Sequence, residues 1–203
     1  MTRAIHPIEE RSYAILRSRA DTSALPPWSR AVAERVIHAS ADPWYLGDLV
    51  CAEEALAAAA AALLAGAAVV ADSAMTAAGI TGTDVICRIG DARAAAVAAG
   101  TGITRSAAGI RVAFSDVGPG AVWVIGTAPT ALDELLALGP DAGPKLVIGL
   151  PVGFVGAVEA KQALRASGLP AVSNRGEKGG AAVAAAALNA LLYGLCESGE
   201  VDR

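Results

Sequence analysis

The chain reads as an α/β protein, a three-layer sandwich in which a mainly parallel, about five-stranded sheet is covered by helices on both faces and preceded by N-terminal helices. Three observations point there. After residue 65, short β-branched runs alternate with alanine-rich stretches of helical character, the signature of βαβ units. The β-branched runs are continuously apolar rather than alternating, as strands buried on both faces must be. The 203 residues carry no long linker, charge run or internal repeat, so 1–203 reads as one domain with room for a full core.

Taken in order, Ile8–Ala20 and Pro27–Ala39 are expected as helices, separated at Pro26-Pro27 because proline suits a first helical turn and excludes the turn before it. The stretch Ala55–Ala71 approaches the length of a membrane span. Gly66 breaks it and Glu53, Glu54 and Asp72 bracket it, so it reads as a helix, a glycine stop and a buried strand. The five expected strands are Ala67–Ala71, Asp84–Ile89, Ala121–Ile125, Lys145–Leu150 and Pro170–Val172. Between and after them, Pro129–Leu138, Gly156–Ser167 and Gly179–Leu192 are expected as helices, and another starts at Thr104-Arg105-Ser106 and runs past Ile110.

Composition narrows the function. Sixteen Lys and Arg against twenty Asp and Glu leave a net charge of -4, so no basic field draws the chain to nucleic acid or anionic lipid. The start, MTRAIHPIEERS, lacks the apolar core of a signal peptide, so the chain is expected in the cytoplasm with no membrane partner. Cys51, Cys87 and Cys196 are far apart, without a C-x-x-C pair; they are expected to be reduced, mostly buried thiols and not metal ligands. With two histidines in the chain, a metal cluster or a Ser-His-Asp arrangement is not expected, and no Walker loop or G-x-G-x-x-G opens a helix.

What remains is one proton donor and several anion-binding loops. His38, at the polar end of an apolar helical stretch, carries the side chain whose unperturbed pKa of about 6.5 suits proton exchange near neutrality. His6, beside Pro7 near the start of the chain, reads as incidental. Ligands of open parallel sheets bind at the carboxyl ends of strands, and the unusual residues cluster there: Asp72 and Met75, Gly126–Thr130, Gly149–Gly156 and Ser173–Gly180. Glycines of Gly149–Gly156, Gly153 among them, allow backbone amides to face a ligand, and a tight turn explains them equally. Arg175, Lys178 and Gly179 precede the last helix, where its dipole favours anions, although a solvated turn has the same composition. Thr104 can cap a helix, and Arg105 can clamp a carboxylate or form a surface ion pair. Ser12 can bind a ligand or its own helix backbone. These residues describe an α/β protein for a polyanionic small molecule.

Ile8-Glu-Glu-Arg-Ser-Tyr-Ala-Ile-Leu16, Val36-Ile-His-Ala39, Thr104-Arg-Ser-Ala107, Gly126-Thr-Ala-Pro-Thr-Ala-Leu132, Pro151-Val-Gly-Phe-Val-Gly156 with Glu159 and Lys161, and Arg175–Gly180 together resemble the precorrin-8X methylmutases of cobalamin biosynthesis, over nearly the whole chain. The resemblance implies an isomerase that moves a methyl group from C-11 to C-12 of precorrin-8X or cobalt-precorrin-8, giving hydrogenobyrinate or cobyrinate, with no cofactor. It implies that His38 protonates ring C to ease a [1,5] shift and that Ser12, and less directly Thr104, Arg105, Gly153, Val155, Arg175, Lys178 and Gly179, bind the tetrapyrrole. A homodimer with substrate near its interface is implied as well. Thr127, Ala160 and Ala181 depart from the family pattern, each with a lost or shortened polar group. Two rival readings are a non-catalytic corrinoid carrier and an α/β enzyme for a smaller phosphorylated or carboxylated metabolite.

Overall fold

The structure, a computed structural model, describes residues 6–197, side chains at 140, 196 and 197 aside. Cys196 therefore lies outside what is described. Helices α1 (Pro7–Arg19), α2 (Pro27–Ser40) and α3 (Tyr45–Asp48) lead into strand β1 (Leu49–Cys51) and helix α4 (Glu53–Leu64). There follow β2 (Val69–Ala71), α5 (Ala74–Gly79), β3 (Val85–Ile86), α6 (Ala92–Thr101), α7 (Arg105–Val117) and β4 (Val122–Ile125). The chain closes with α8 (Pro129–Leu138), a 3₁₀ turn (Gly139–Ala142), β5 (Leu146–Gly149), α9 (Ala157–Ala166), β6 (Ala171–Asn174) and α10 (Ala181–Glu197).

The sheet has six strands in the order β1-β6-β5-β4-β2-β3, parallel throughout except for β1, which runs antiparallel to β6 with Val50 opposite Ser173. From β2 to β6 the sheet is doubly wound, reversing direction between β2 and β4. The five expected strands are present, with β3 cut to Val85–Ile86. The sixth, β1, is three residues long and only half-buried, too short for an apolar run to announce it.

Alternation along each strand sends side chains to two cores. Val69, Val122, Val124, Leu146, Ile148 and Val172 face one, under α1, α2, α4 and α10; Val70, Trp123, Ile125 and Val147 face the other, under α7, α8 and α9. The apolar stretch Ala55–Ala71 is most of α4, packed into the first core, plus β2, which feeds both cores. Among the described residues no helix is long and apolar enough to cross a membrane. Cys51 and Cys87 are free thiols but only half-buried, since each sits at a strand near a sheet edge and not on a central one.

The helical layer over the first core is held by side chains reaching across it. Helix α2 has no side-chain cap of its own, and its first residue is a proline. Glu53, at the start of α4, supplies the missing acceptors: Trp28 N and Ser29 N each donate to its carboxylate at 2.8 Å, as does Ser29 Oγ. Buried Glu34 on α2 accepts a forked pair of bonds from Arg17 on α1, at 3.0 and 2.7 Å, and a third from Thr22 at 2.6 Å. Arg35 on α2 pairs with Glu9 on α1 at 2.7 Å. His6, far from incidental, accepts from Ile8 N at 3.2 Å and caps α1.

Partial burial works against the charge of Glu53, and the bonds from Trp28 and Ser29 outweigh it, holding the carboxyl below its ordinary range. Stability from this group is then complete above the unfolded value of about 4.3 and fades as pH falls through the lower folded value. Glu53→Gln should cost about 1 kcal/mol at neutral pH, as losing a helix cap does. Denaturant unfolding at pH 7 and pH 3 checks both points: the gap between variant and wild type should narrow on acidification.

Candidate active site

His38 lies in the last turn of α2, half-buried, with α1 running alongside. Ser12 Oγ and His38 Nδ1 are 2.9 Å apart. The Tyr13 ring stacks on the imidazole almost face to face, with centroids 4.9 Å apart and planes 5° from parallel. Tyr13 is itself held: Arg35 Nη1 donates to its hydroxyl at 3.1 Å, and the Arg17 guanidinium lies 5.6 Å from its ring centroid. Burial raises the Tyr13 phenol above its ordinary pKa, against the pull of Arg35, so the ring stays neutral beside the imidazole. The consecutive pair Ser12-Tyr13 thus fixes His38 through one edge and one face of its ring.

A cavity of about 160 Å³ opens on this pair, lined by Ser12, Ile15, Leu16, Arg19, Ile37, His38, Ala41 and Pro43. Ala41, the residue that ends α2, has φ +53, in the left-handed region that a β-carbon disfavours. Beyond Tyr13 a larger cavity of about 390 Å³ lies between α1, α2 and α10, with Glu9, Arg17, Arg30, Glu34, Arg35 and Tyr193 on its walls.

The remaining sequence-derived residues form a rim along the carboxyl ends of the parallel strands, joined to the His38 pocket by a chain of contacts. Lys178 Nζ is 2.5 Å from Asp42 Oδ2 and 4.5 Å from the centroid of Trp44, and Asp42 precedes the pocket residue Pro43. Lys178 in turn holds the exposed side of Asp42, whose carboxyl is lowered by that bond. Arg175 Nη1 donates to Gly47 O at 3.2 Å. Gly153 N donates to Glu177 O at 3.1 Å, tying the loop after β5 to the loop after β6. Gly180 N donates to Leu150 O at 2.9 Å in the same place. At the far end, Thr104 Oγ1 accepts from Ala107 N as the cap of α7 and lies 2.7 Å from Thr130 Oγ1 at the start of α8. Arg105 is exposed beside it, with no ion-pair partner among the described residues.

Two expectations change in the light of this geometry. The Gly153 amide is spent on Glu177 and so does not face outward as an anion donor. Gly179 is a glycine because a β-carbon there would come within 2.9 Å of Pro151 O and closer still to Leu150 O. Val155, by contrast, is 88% exposed and Phe154 beside it 92%, an apolar pair carried outward on the rim. Ser12 and His38 are brought into direct contact; Thr104 and Arg105 stand at the other end of the rim and do not line the His38 cavity.

Sequence reading passed over several residues that build the site. Tyr13 and Lys161 both fall within the motifs carrying the family resemblance, but neither side chain advertises a role on its own. Lys161 is fully buried on α9, where it donates to Asn174 Oδ1 at 3.0 Å, to Lys178 O at 2.9 Å and to Gly176 O. Desolvation drives its pKa down to about 8, against Asp48 and Glu177, which raise it. Asp48, buried at the end of α3, takes Asn174 Nδ2 at 2.7 Å and Gly176 N at 3.1 Å. Nothing in the local sequence announces Asp48, whose partners lie more than a hundred residues away.

Known proteins supply an independent comparison. The family model described as precorrin-8X methylmutase matches residues 7–194. A Sinorhizobium precorrin-8X methylmutase is 42% identical over 194 residues, covering 91% of this chain and 92% of its own. The Salmonella typhimurium cobalt-precorrin-8 methylmutase is 38% identical over 203 residues, covering 94% and 96%. The crystal structure of the Thermus thermophilus precorrin-8X methylmutase superposes with a TM-score of 0.86 at 35% identity, covering 96% of this chain and 98% of that one. Matched along almost its entire length in both sequence and fold, the chain belongs to the precorrin-8X methylmutase family of isomerases.

Proposed function

We propose that this protein moves the methyl group from C-11 to C-12 of precorrin-8X or cobalt-precorrin-8, with His38 as general acid and then base. The observation that carries the reading is the fixed imidazole: a histidine held by Ser12 at one ring edge and by Tyr13 across one face, at the wall of a cavity. The imidazole of His38 exchanges the proton with the ring C nitrogen. Protonation draws electron density toward that nitrogen; the bond from C-11 to the methyl carbon breaks as the bond to C-12 forms; the proton then returns to His38. No atom is gained or lost, so the step needs no cofactor. General acid catalysis supplies about 10²–10⁴-fold, and holding the macrocycle in the reactive geometry supplies the rest.

The rim suits the substrate's acetate and propionate groups. Arg105, Arg175 and Lys178 are exposed cations, and Thr104 and the N-terminus of α7 add a hydroxyl and a helix dipole beside Arg105. The cavity on His38, about 160 Å³, is below the roughly 300–1,000 Å³ of ordinary ligand pockets, and a tetrapyrrole is a large ligand. A second copy of the chain completes the enclosure. Val155 and Phe154, almost fully exposed at the rim, are apolar surface that a homodimer would cover.

Mixing the protein with precorrin-8X, and in parallel with cobalt-precorrin-8, should change the visible spectrum over many turnovers, because migration of the methyl alters the conjugated path. His38→Ala should keep its fold and lose about 10²–10⁴-fold in kcat. A bound spectrum that never turns over with either substrate would replace the enzyme with a corrinoid carrier. For Arg105→Ala, steady-state kinetics should show KM raised about tenfold with kcat near wild type, the pattern of lost ground-state binding to a carboxylate. Light scattering should give twice the chain mass for the wild type, and Phe154→Asp should shift it toward one.

A further inference from the structure

The loop after β6 carries two of the cations assigned to substrate binding, Arg175 and Lys178, yet its own backbone has little regular structure to define it. Between Asn174 and Ala181 the residues form neither strand nor helix. What it has is a buried lysine beneath it. Lys161 Nζ points its three donors at Asn174 Oδ1, Gly176 O and Lys178 O, which takes up the full donor capacity of an ammonium. From the opposite side Asp48 accepts from Asn174 Nδ2, Arg175 N and Gly176 N. Asn174 joins the two, taking a bond from the lysine and giving one to the aspartate, while its Nδ2 also reaches Lys178 O at 2.9 Å.

We propose that Lys161 is the positioning residue of the substrate-recognition loop, acting with Asp48 as a buried clamp that presets Arg175 and Lys178 before substrate arrives. The inference rests on the reading of those two cations as carboxylate contacts. Its physical basis is that an isolated buried charge is expensive and is kept only where several acceptors converge on it. Here every acceptor belongs to residue 174, 176 or 178, so the charge is spent on the last residue of β6 and the loop that follows it. Arg165, on the same face of α9 one turn on, donates to Ser173 Oγ and Asn174 O and anchors the strand end from which the loop departs. The clamp reaches the catalytic end of the molecule through Lys178, which pairs with Asp42 next to the His38 pocket. A preset loop binds its ligand without the cost of ordering it at that moment.

Lys161→Met keeps the length and most of the volume of the side chain and removes the donors. Titrated with cobyrinic acid by visible absorbance, this variant should bind about tenfold to a hundredfold more weakly than wild type, the range expected when bonds to a charged donor are lost. KM should rise in step while kcat stays within about threefold, because nothing about His38 has changed. Binding unchanged from wild type, or a fall in kcat with binding intact, would overturn the role of Lys161. A wild-type protein that binds no corrinoid would instead overturn the reading of the site itself. Amide exchange on the unliganded wild-type protein guards against a variant that fails to fold. The Arg175 and Gly176 amides should be protected nearly as well as those of β6, and unprotected exchange there would show that no clamp presets the loop.

Discussion

Everything around His38 depends on how closely α2 can approach α10. Helix α10 presents Ala184, Ala187, Leu188, Ala190 and Leu191 to the core, with Gly194 farther along. A β-carbon at Gly194 would sit 2.6 Å from the indole of Trp28, at the start of α2. Small residues on α10 thus let two backbones come together, and dispersion contacts that need close approach become available. Helix α2 is seated by that packing, capped by Glu53 from α4 and pinned by Glu34 to α1. His38 inherits its position from those three attachments, none of which involves the histidine.

The layered architecture was legible in the amino-acid order because its signal is local. Continuous apolar strands such as Val122–Ile125 and Leu146–Gly149 sit where their runs placed them, and Pro27 marks the start of α2. Strand β1 was not legible, since three half-buried residues at an edge carry neither period nor length. For the site, His38 stood out by rarity, and Thr104, Arg105 and the loop cations by type. Tyr13, Asp48 and Lys161 did not, because what makes each matter is a partner elsewhere in space: an imidazole on the next helix, or the backbone of a loop. A buried lysine in an alanine-rich helix reads as an ordinary surface residue until its acceptors are seen. The same ambiguity ran the other way for Gly153 and Gly179, whose amide and missing side chain serve contacts within the protein.

Charge is distributed so that interior and rim do different work. Inside the helical layer, acids and bases are closed into fixed sets, with Glu34 meeting Arg17 and Thr22, and Asp48 meeting Asn174 and two amides. Removing one partner from such a set leaves a buried group stranded, so these sets are structural commitments. On the rim, cations stand in solvent or in exposed pairs such as Lys178 with Asp42, which contribute little to stability and are cheap to exchange for a ligand's carboxylate. An overall negative charge is thereby compatible with a locally cationic site.

Asp72 adds a consequence for where a ligand can enter this scaffold. It stands at the end of β2, where the sheet reverses direction, and its carboxylate takes the amides of Gly126, Thr127 and Ala128 together with the hydroxyls of Thr76 and Thr127. Doubly wound sheets present that crevice, at the head of the next helix, to the phosphate of a nucleotide. In this chain a side chain already occupies the phosphate's place, as a permanent internal ligand with a full complement of donors. The crevice at the sheet's reversal is thus closed from within, and the pocket beside His38 lies instead between the two N-terminal helices and the turn that follows them.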